Sequence, residues 1–222
     1  MRLTASDLAC RRSGRAVFEA VSFSLGSGEA LVIRGRNGAG KSSLLRMVVG
    51  LLRAARGRLA LEGGDPELTI GEQAHYLGHQ DALKASLSVA ENLRFWSGFL
   101  SAAGTDSDGP LAAVGLEALA DLPAAYLSAG QRRRLSIARL LAVKRPIWLL
   151  DEPASTLDAA AQQRLDEFMA AHLATGGLIL TATHGAFALP GAQELRLDQM
   201  APGLVKAVPS PLAGEAEARG SC

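Results

Sequence analysis

The sequence predicts an α/β domain. A parallel sheet is covered by helices, joined by an antiparallel β subdomain and interrupted by an inserted helical subdomain. Three observations carry this. Short apolar runs, Ala30 to Arg34 (ALVIR), Ile147 to Leu150 (IWLL) and Leu178 to Thr181 (LILT), alternate with segments of helical length. That is the pattern of strands buried on both faces of a parallel sheet. Val21, Phe23 and Leu25 instead alternate with Ser22 and Ser24, a period of two that marks a half-buried antiparallel strand. The stretch from about residue 81 to 126 is mostly helical in character and sits between the apolar strands.

Taken in order, the strand Ala30 to Arg34 runs into Gly35, and Ser42 to Leu52 (SSLLRMVVGLL) has the length and apolar content of a helix. Ser88-Val89-Ala90-Glu91 has capping-box spacing and opens a helix through Asn92 to Leu100, because Ser and Glu three apart satisfy each other's backbone N–H groups. Thr105 to Pro110 reads as a polar turn and Leu111 to Leu122 as a further helix. Ser128 and Gln131 have the same capping spacing before a helix over Arg132 to Val143. Residues 1–200 are expected to form the domain, with residues 201–222, rich in Ala, Pro and Gly, as a flexible tail.

The 222 residues suffice for one large domain, which buries roughly 70–75% of its unfolded surface without cross-links. The 23 Lys and Arg balance 22 Asp and Glu, which argues against general electrostatic binding of nucleic acid. Cysteine occurs only at Cys10 and Cys222, so a disulfide framework is not expected and a reducing compartment is. Asp7 breaks the N-terminal region, so no signal peptide is read. No apolar run approaches the ~18–20 residues of a membrane span, so any membrane role requires a separate anchor.

Gly35, Arg36, Asn37, Gly38, Ala39, Gly40, Lys41 and Ser42 fit G-x-x-x-x-G-K-[ST], after a strand and before a helix, the context this phosphate loop requires. The glycines let the backbone close on phosphate oxygens. Successive N–H groups and the helix N-terminus supply partial positive charge. Lys41 is expected to reach the β- and γ-phosphates and Ser42 to coordinate Mg²⁺, with Ser43 completing the nucleotide-binding set. Asp151 and Glu152 follow the strand IWLL, which puts two acids at the ligand edge of a parallel sheet. Asp151 is expected to hold Mg²⁺ through water. Glu152 is expected to act as general base on the attacking water, an effect worth roughly 10²–10⁴ in rate.

Leu127-Ser128-Ala129-Gly130-Gln131 resembles the LSGGQ signature of ABC ATPases, with Ala129 in place of the first glycine, about twenty residues before the acid pair. The resemblance implies a P-loop ABC ATPase fold and ATP with Mg²⁺. It implies that Ser128, Gly130 and Gln131 bind the γ-phosphate of ATP held by the opposite subunit of a homodimer. It further implies that Gln80 touches Mg²⁺ and senses a membrane partner. Ser155-Thr156-Leu157-Asp158 would cross the dimer interface beside the nucleotide, and His184 would contact the γ-phosphate. Asp158 also reads as a plain N-cap. Lys41, Gln80, Glu152 and His184 thus form the catalytic set, and Ser42, Gln80 and Asp151 the metal set. The run Arg132-Arg133-Arg134 reads as a solvated helix face, with extra positive potential near the shared phosphate as the rival reading. The aromatic that stacks on adenine in these ATPases is missing from Cys10 to Gly14, and the nearest, Phe18, reads as core. GTP is therefore expected to compete with ATP.

Tyr76-Leu77-Gly78-His79-Gln80-Asp81-Ala82-Leu83-Lys84, then Glu91-Asn92-Leu93-Arg94-Phe95-Trp96, with LSAGQRRR, resembles the cytochrome c maturation ATPases over about Leu3 to Leu197. This implies separate integral membrane subunits at the cytoplasmic face of the bacterial inner membrane. It implies a role in c-type cytochrome assembly, by haem export or by release of haem to a periplasmic carrier. Phe95, Trp96 and Phe99 read as one apolar side of a helix, hence core. His75 and His79 flank a strand leading to the nucleotide and are not read as haem ligands. The alternatives are an ABC ATPase serving another transporter, or a soluble one acting on DNA or ribosomes.

Overall fold

The structure, a computed structural model, describes residues 1–12, 14–100, 108–184, 189, 191–198 and 208–209. The chain runs β1 (Arg2–Arg12), β2 (Arg15–Gly26), β3 (Ala30–Arg34), α1 (Lys41–Val48), β4 (Arg56–Glu62), β5 (Ala74–Leu77), α2 (Val89–Leu100) and α3 (Asp108–Ala113). It continues through α4 (Ala129–Ala142), β6 (Ile147–Asp151), α5 (Ala159–Ala174), β7 (Leu178–Ala182), β8 (Gln193–Arg196) and β9 (Val208–Pro209).

β1, β2 and β4 form an antiparallel sheet in the order β2-β1-β4. In β2 the alternating residues Val21, Phe23 and Leu25 are buried and pair with Leu8, Ala5 and Leu3. The second sheet has the order β5-β6-β7-β3-β8-β9, parallel throughout except that β9 runs antiparallel to β8. Its central strands β3, β6 and β7 are buried on both faces. Ala30 and Val32 pack with Trp148, Leu150 and Ile179 on the side of Leu165 and Met169 of α5. Leu31 and Ile33 point the other way, packing with Leu149 and Leu180 against Leu44, Leu45 and Val48 of α1 and the antiparallel sheet. That alternation explains why these strands read as unbroken apolar runs.

Some boundaries differ from expectation. The helix expected to reach Leu52 ends at Val48. Gly50 takes φ 84, its N–H bonds Met47 O at 3.0 Å, and the Leu51 N–H bonds Arg46 O at 2.8 Å. This closing turn satisfies the last carbonyls of α1. The helix expected over Leu111 to Leu122 is broken. α3 starts earlier, turns at residues 114–115, and leaves only a single 3-10 turn at Glu117–Leu119. Of the expected polar turn, residues 108–110 belong to α3, and 105–107 lie outside the described residues. Of the expected tail, Val208–Pro209 form β9 beside β8, and the other residues of 201–222 lie outside the described residues. No helix among the described residues is long and apolar enough to cross a membrane.

Candidate functional site

β3, β6 and β7 are neighbours in the sheet, and all three end at the same carboxyl edge. Ligands of open parallel sheets bind at such an edge. The loop after β3 holds Gly35, Gly38 and Gly40 at φ 146, 84 and 101, values that residues with a side chain rarely take. At Gly40 a Cβ would also lie 2.7 Å from Phe18 Cδ1 and Val17 Cγ1. The antiparallel sheet therefore presses on the loop and admits only glycine there. α1 opens directly after Gly40, so its first N–H groups lack intrahelical acceptors and face the loop's concavity. Lys41 is buried (7% exposed), and its Nζ donates to Gly35 O at 2.8 Å and approaches His184 Nε2 at 2.9 Å.

A cleft of about 360 Å³ opens there, lined by Arg36, Asn37, Gly38, Gly40, Lys41, Ser42, Ser43, Asp151, Glu152 and His184. The structure thus brings together the phosphate loop, the acid pair and the histidine, drawn from three separate strand ends. His184 Nε2 lies 2.8 Å from Asn37 Oδ1 and 3.6 Å from Glu152 Oε1. The His184 N–H points to Glu152 Oε2 at 3.4 Å. Asp151 is buried, and its Oδ2 has no hydrogen-bond partner within the protein. Glu152 Oε1 is in the same condition. Buried carboxylate oxygens without donors are costly unless something binds them. Asp151 and the Ser42 hydroxyl offer the oxygen-only donor set that suits a hard divalent cation.

Other expected site residues lie elsewhere in the same chain. Gln80 is exposed and lines a neighbouring groove, not the phosphate cleft. Ser128 and Gln131 form the expected capping box at the start of α4. The Ser128 N–H donates to Gln131 Oε1 at 2.8 Å, and the Gln131 N–H donates to Ser128 Oγ at 3.2 Å. Asp158 caps α5, accepting from the Ala161 N–H at 2.8 Å. Ser128, Gly130, Gln131 and Asp158 do not line the cleft. The turn before α5 meets the start of α4, where Thr156 Oγ1 reaches Ala129 O at 3.5 Å.

Three readings from the sequence need correction or addition. Arg133 is not on a solvated face: it is 2% exposed and donates to carbonyls at the end of β6. The polar groups it meets come from distant segments, which a basic run cannot reveal. Phe95 and Phe99 are not core, at 40% and 73% exposed. With Trp96 they form an aromatic cluster beside a groove of about 840 Å³ that Gln80 also lines. Lys84 Nζ lies 4.2 Å from the Phe95 ring centre and Arg139 4.3 Å from that of Trp96. Finally, Arg12, Val17 and His79 line the phosphate cleft, and sequence reasoning assigned none of them there. Phe18 is core, as expected, at 3% exposed. The clue to Arg12 and Val17 was Gly14, whose turn places both residues on paired strands.

His75 is buried, with Nε2 2.6 Å from Val143 O, and burial pushes its pKa down to about 4. Its Nε2 is committed inside the protein.

The ABC transporter family model matches residues 18–155. The chain is 59% identical over 197 residues to the cytochrome c biogenesis ATP-binding export protein CcmA of Nitrobacter winogradskyi, covering 89% of this chain and 98% of that protein. It is 56% identical over 201 residues to the protein of the same name from Bradyrhizobium diazoefficiens, covering 90% and 100%. Among solved structures, an ATP-binding subunit of an ABC transporter matches with TM-score 0.78 at 26% identity, over 89% of this chain and 87% of that one. A bacterial Atm1-family ABC exporter with ATP bound matches with TM-score 0.75 at 21% identity, over 89% of this chain and 37% of that one. The exporter's likeness is one of fold.

Proposed function

We infer function from membership: the chain belongs to the ABC transporter ATP-binding family, among the cytochrome c biogenesis ATP-binding export proteins. It is the ATP-hydrolysing subunit of an ABC export system for c-type cytochrome biogenesis. The observation that carries the catalytic reading is the unpartnered Glu152 Oε1 in one cleft with Lys41 and His184.

In this reading the loop Gly35 to Ser43 cradles the triphosphate of ATP, and Lys41 neutralises the β- and γ-phosphates. Ser42 and Asp151 hold Mg²⁺, an assignment supported by the unpartnered Asp151 Oδ2. A divalent cation held by these two residues would supply positive charge to offset that of the β- and γ-phosphates. Glu152 takes the proton of the attacking water, and His184 donates to the γ-phosphate as negative charge develops there. Arg12 and Val17 face the base, with the Arg12 guanidinium in place of a stacking ring.

Catalysis by one chain is incomplete in this proposal. Ser128, Gly130 and Gln131 do not line their own cleft, which agrees with their serving the cleft of a second copy in a homodimer. The exposed aromatic groove beside Gln80 is the proposed seat of the integral membrane subunits. An exposed apolar cluster of this kind marks a partner site. In this reading the chain works as a peripheral subunit at the cytoplasmic face of the inner membrane. Whether haem crosses the membrane or is released from a carrier, ATP turnover at Glu152 is the step that this chain supplies.

Deleting the gene and complementing it tests the role. The wild-type gene should restore c-type cytochromes, and a Glu152→Gln copy should not, while b-type haem proteins persist throughout. Normal c-type cytochromes in the deletion strain would contradict the proposal.

A further inference from the structure

The guanidinium of Arg133, on the second turn of α4, is almost wholly buried. It meets five acceptors, as many as it has N–H donors. Nε donates to Pro153 O at 3.0 Å. Nη2 donates to Asp151 O and Glu152 O, both at 2.8 Å. Nη1 donates to Gly78 O at 2.8 Å and to Asp81 Oδ1 at 3.2 Å. Three acceptors thus belong to the segment that carries the acid pair, and two to the segment leaving β5.

Glu152 has φ 47. A residue with a side chain keeps this left-handed conformation only where its surroundings over-determine it. Here the Glu152 N–H is tied to Ala182 O at 2.8 Å, and its carbonyl accepts from both Arg133 Nη2 and Ser155 Oγ at 2.8 Å. The direction of the Glu152 side chain follows from that backbone twist. The other end of the fan, Gly78 to Asp81, contributes Gly78, His79 and Gln80 to the wall of the aromatic groove. Any displacement of that wall changes the acceptors of the same rigid guanidinium that orients Glu152.

We propose that Arg133 is a positioning residue: it fixes Glu152 for hydrolysis and makes that placement depend on the segment Gly78 to Asp81. The proposal rests on Glu152 being the base. Lysine cannot replace it, because an ammonium is a single point with three donors and cannot span both segments.

The test measures MgATP affinity and steady-state kcat of the full-length protein for Arg133→Lys, Asp81→Asn, the double variant and Glu152→Gln. Arg133→Lys should lower kcat about 10- to 100-fold while the Kd for MgATP stays within about threefold, since the loss is one of orientation. Asp81→Asn should lower kcat in the same sense, and the double variant should be little worse than Arg133→Lys, because both act through one network. If Arg133→Lys does not fold, Asp81→Asn decides alone: kcat lost at constant Kd supports the proposal, and unchanged kcat overturns it. Equal losses in kcat and affinity, or fully additive effects, also overturn it. An inactive Glu152→Gln beside fully active Arg133→Lys sinks the positioning role alone. Wild-type hydrolysis by Glu152→Gln sinks the base assignment and this proposal with it.

Discussion

Lys41 Nζ and His184 Nε2 stand 2.9 Å apart, so the phosphate loop and the end of β7 meet at one point. The carboxylate of Glu152 lies just beyond, 3.6 Å from the same imidazole nitrogen. A γ-phosphate held by Lys41 would enter among these groups. Lys41→Ala should therefore weaken nucleotide binding itself. His184→Ala should lower kcat about 10²-fold, as loss of one transition-state donor does, with affinity largely retained. Equilibrium binding and steady-state hydrolysis separate the two. Equal loss of affinity and turnover in His184→Ala would assign the histidine to ground-state binding.

Base selectivity should be loose. Phe18 is locked in the core, and the cleft presents Arg12 and Val17 instead. A guanidinium stacked on a purine is worth about 0.5–2 kcal/mol and does not distinguish adenine from guanine strongly. GTP should displace ATP with an affinity within about tenfold of it. Arg12→Ala should weaken both nucleotides alike. Strict ATP preference in a competition assay contradicts this.

Acid should destabilise the fold partly through His75. Its folded pKa of about 4 lies below the ordinary value of 6.5, because burial disfavours the charged ring. The unfolded chain therefore binds more protons between these values, and stability falls as pH drops through that window. The slope is up to about 1.4 kcal/mol per pH unit for the one group. His172, shifted down by its own burial, acts in the same sense. Urea unfolding of wild type and His75→Gln at pH 7 and at pH 5 checks this. The variant should lose less stability over the interval.

Much of this site was legible because its chemistry is local. Gly35 to Ser42 is one contiguous stretch, and the Ser88/Glu91 and Ser128/Gln131 caps each need only four residues. Both caps form as their spacing implies. Arg133 was illegible for the opposite reason. A run of three arginines carries the signature of a wet helix face, while its actual acceptors are mostly main-chain carbonyls, which every residue has. Phe95 and Phe99 were misread because spacing reveals an apolar stripe but not whether another element covers it. Gln80 shows a further limit. Its position after β5 is readable, yet which of two adjoining cavities it lines depends on the course of the loop.

The exposure of Phe99 has a direct consequence. Phe99→Ser should reduce recovery of the protein with solubilised membrane subunits, while the purified variant still binds nucleotide. Ring stacking on Phe95 is partly solvent-exposed, so the change should alter stability by less than about 1 kcal/mol. Undiminished recovery would move the docking surface elsewhere.

The most direct test of the central claim is Glu152→Gln in the purified protein, with MgATP affinity, hydrolysis and oligomeric state measured together. The carboxamide keeps the shape of the side chain and removes its capacity to take a proton. ATP should bind with near-normal affinity and hydrolysis should fall about 10²–10⁴-fold. The uncleaved nucleotide should hold two copies together as a dimer in size-exclusion chromatography. Hydrolysis at the wild-type rate would show that the base lies elsewhere.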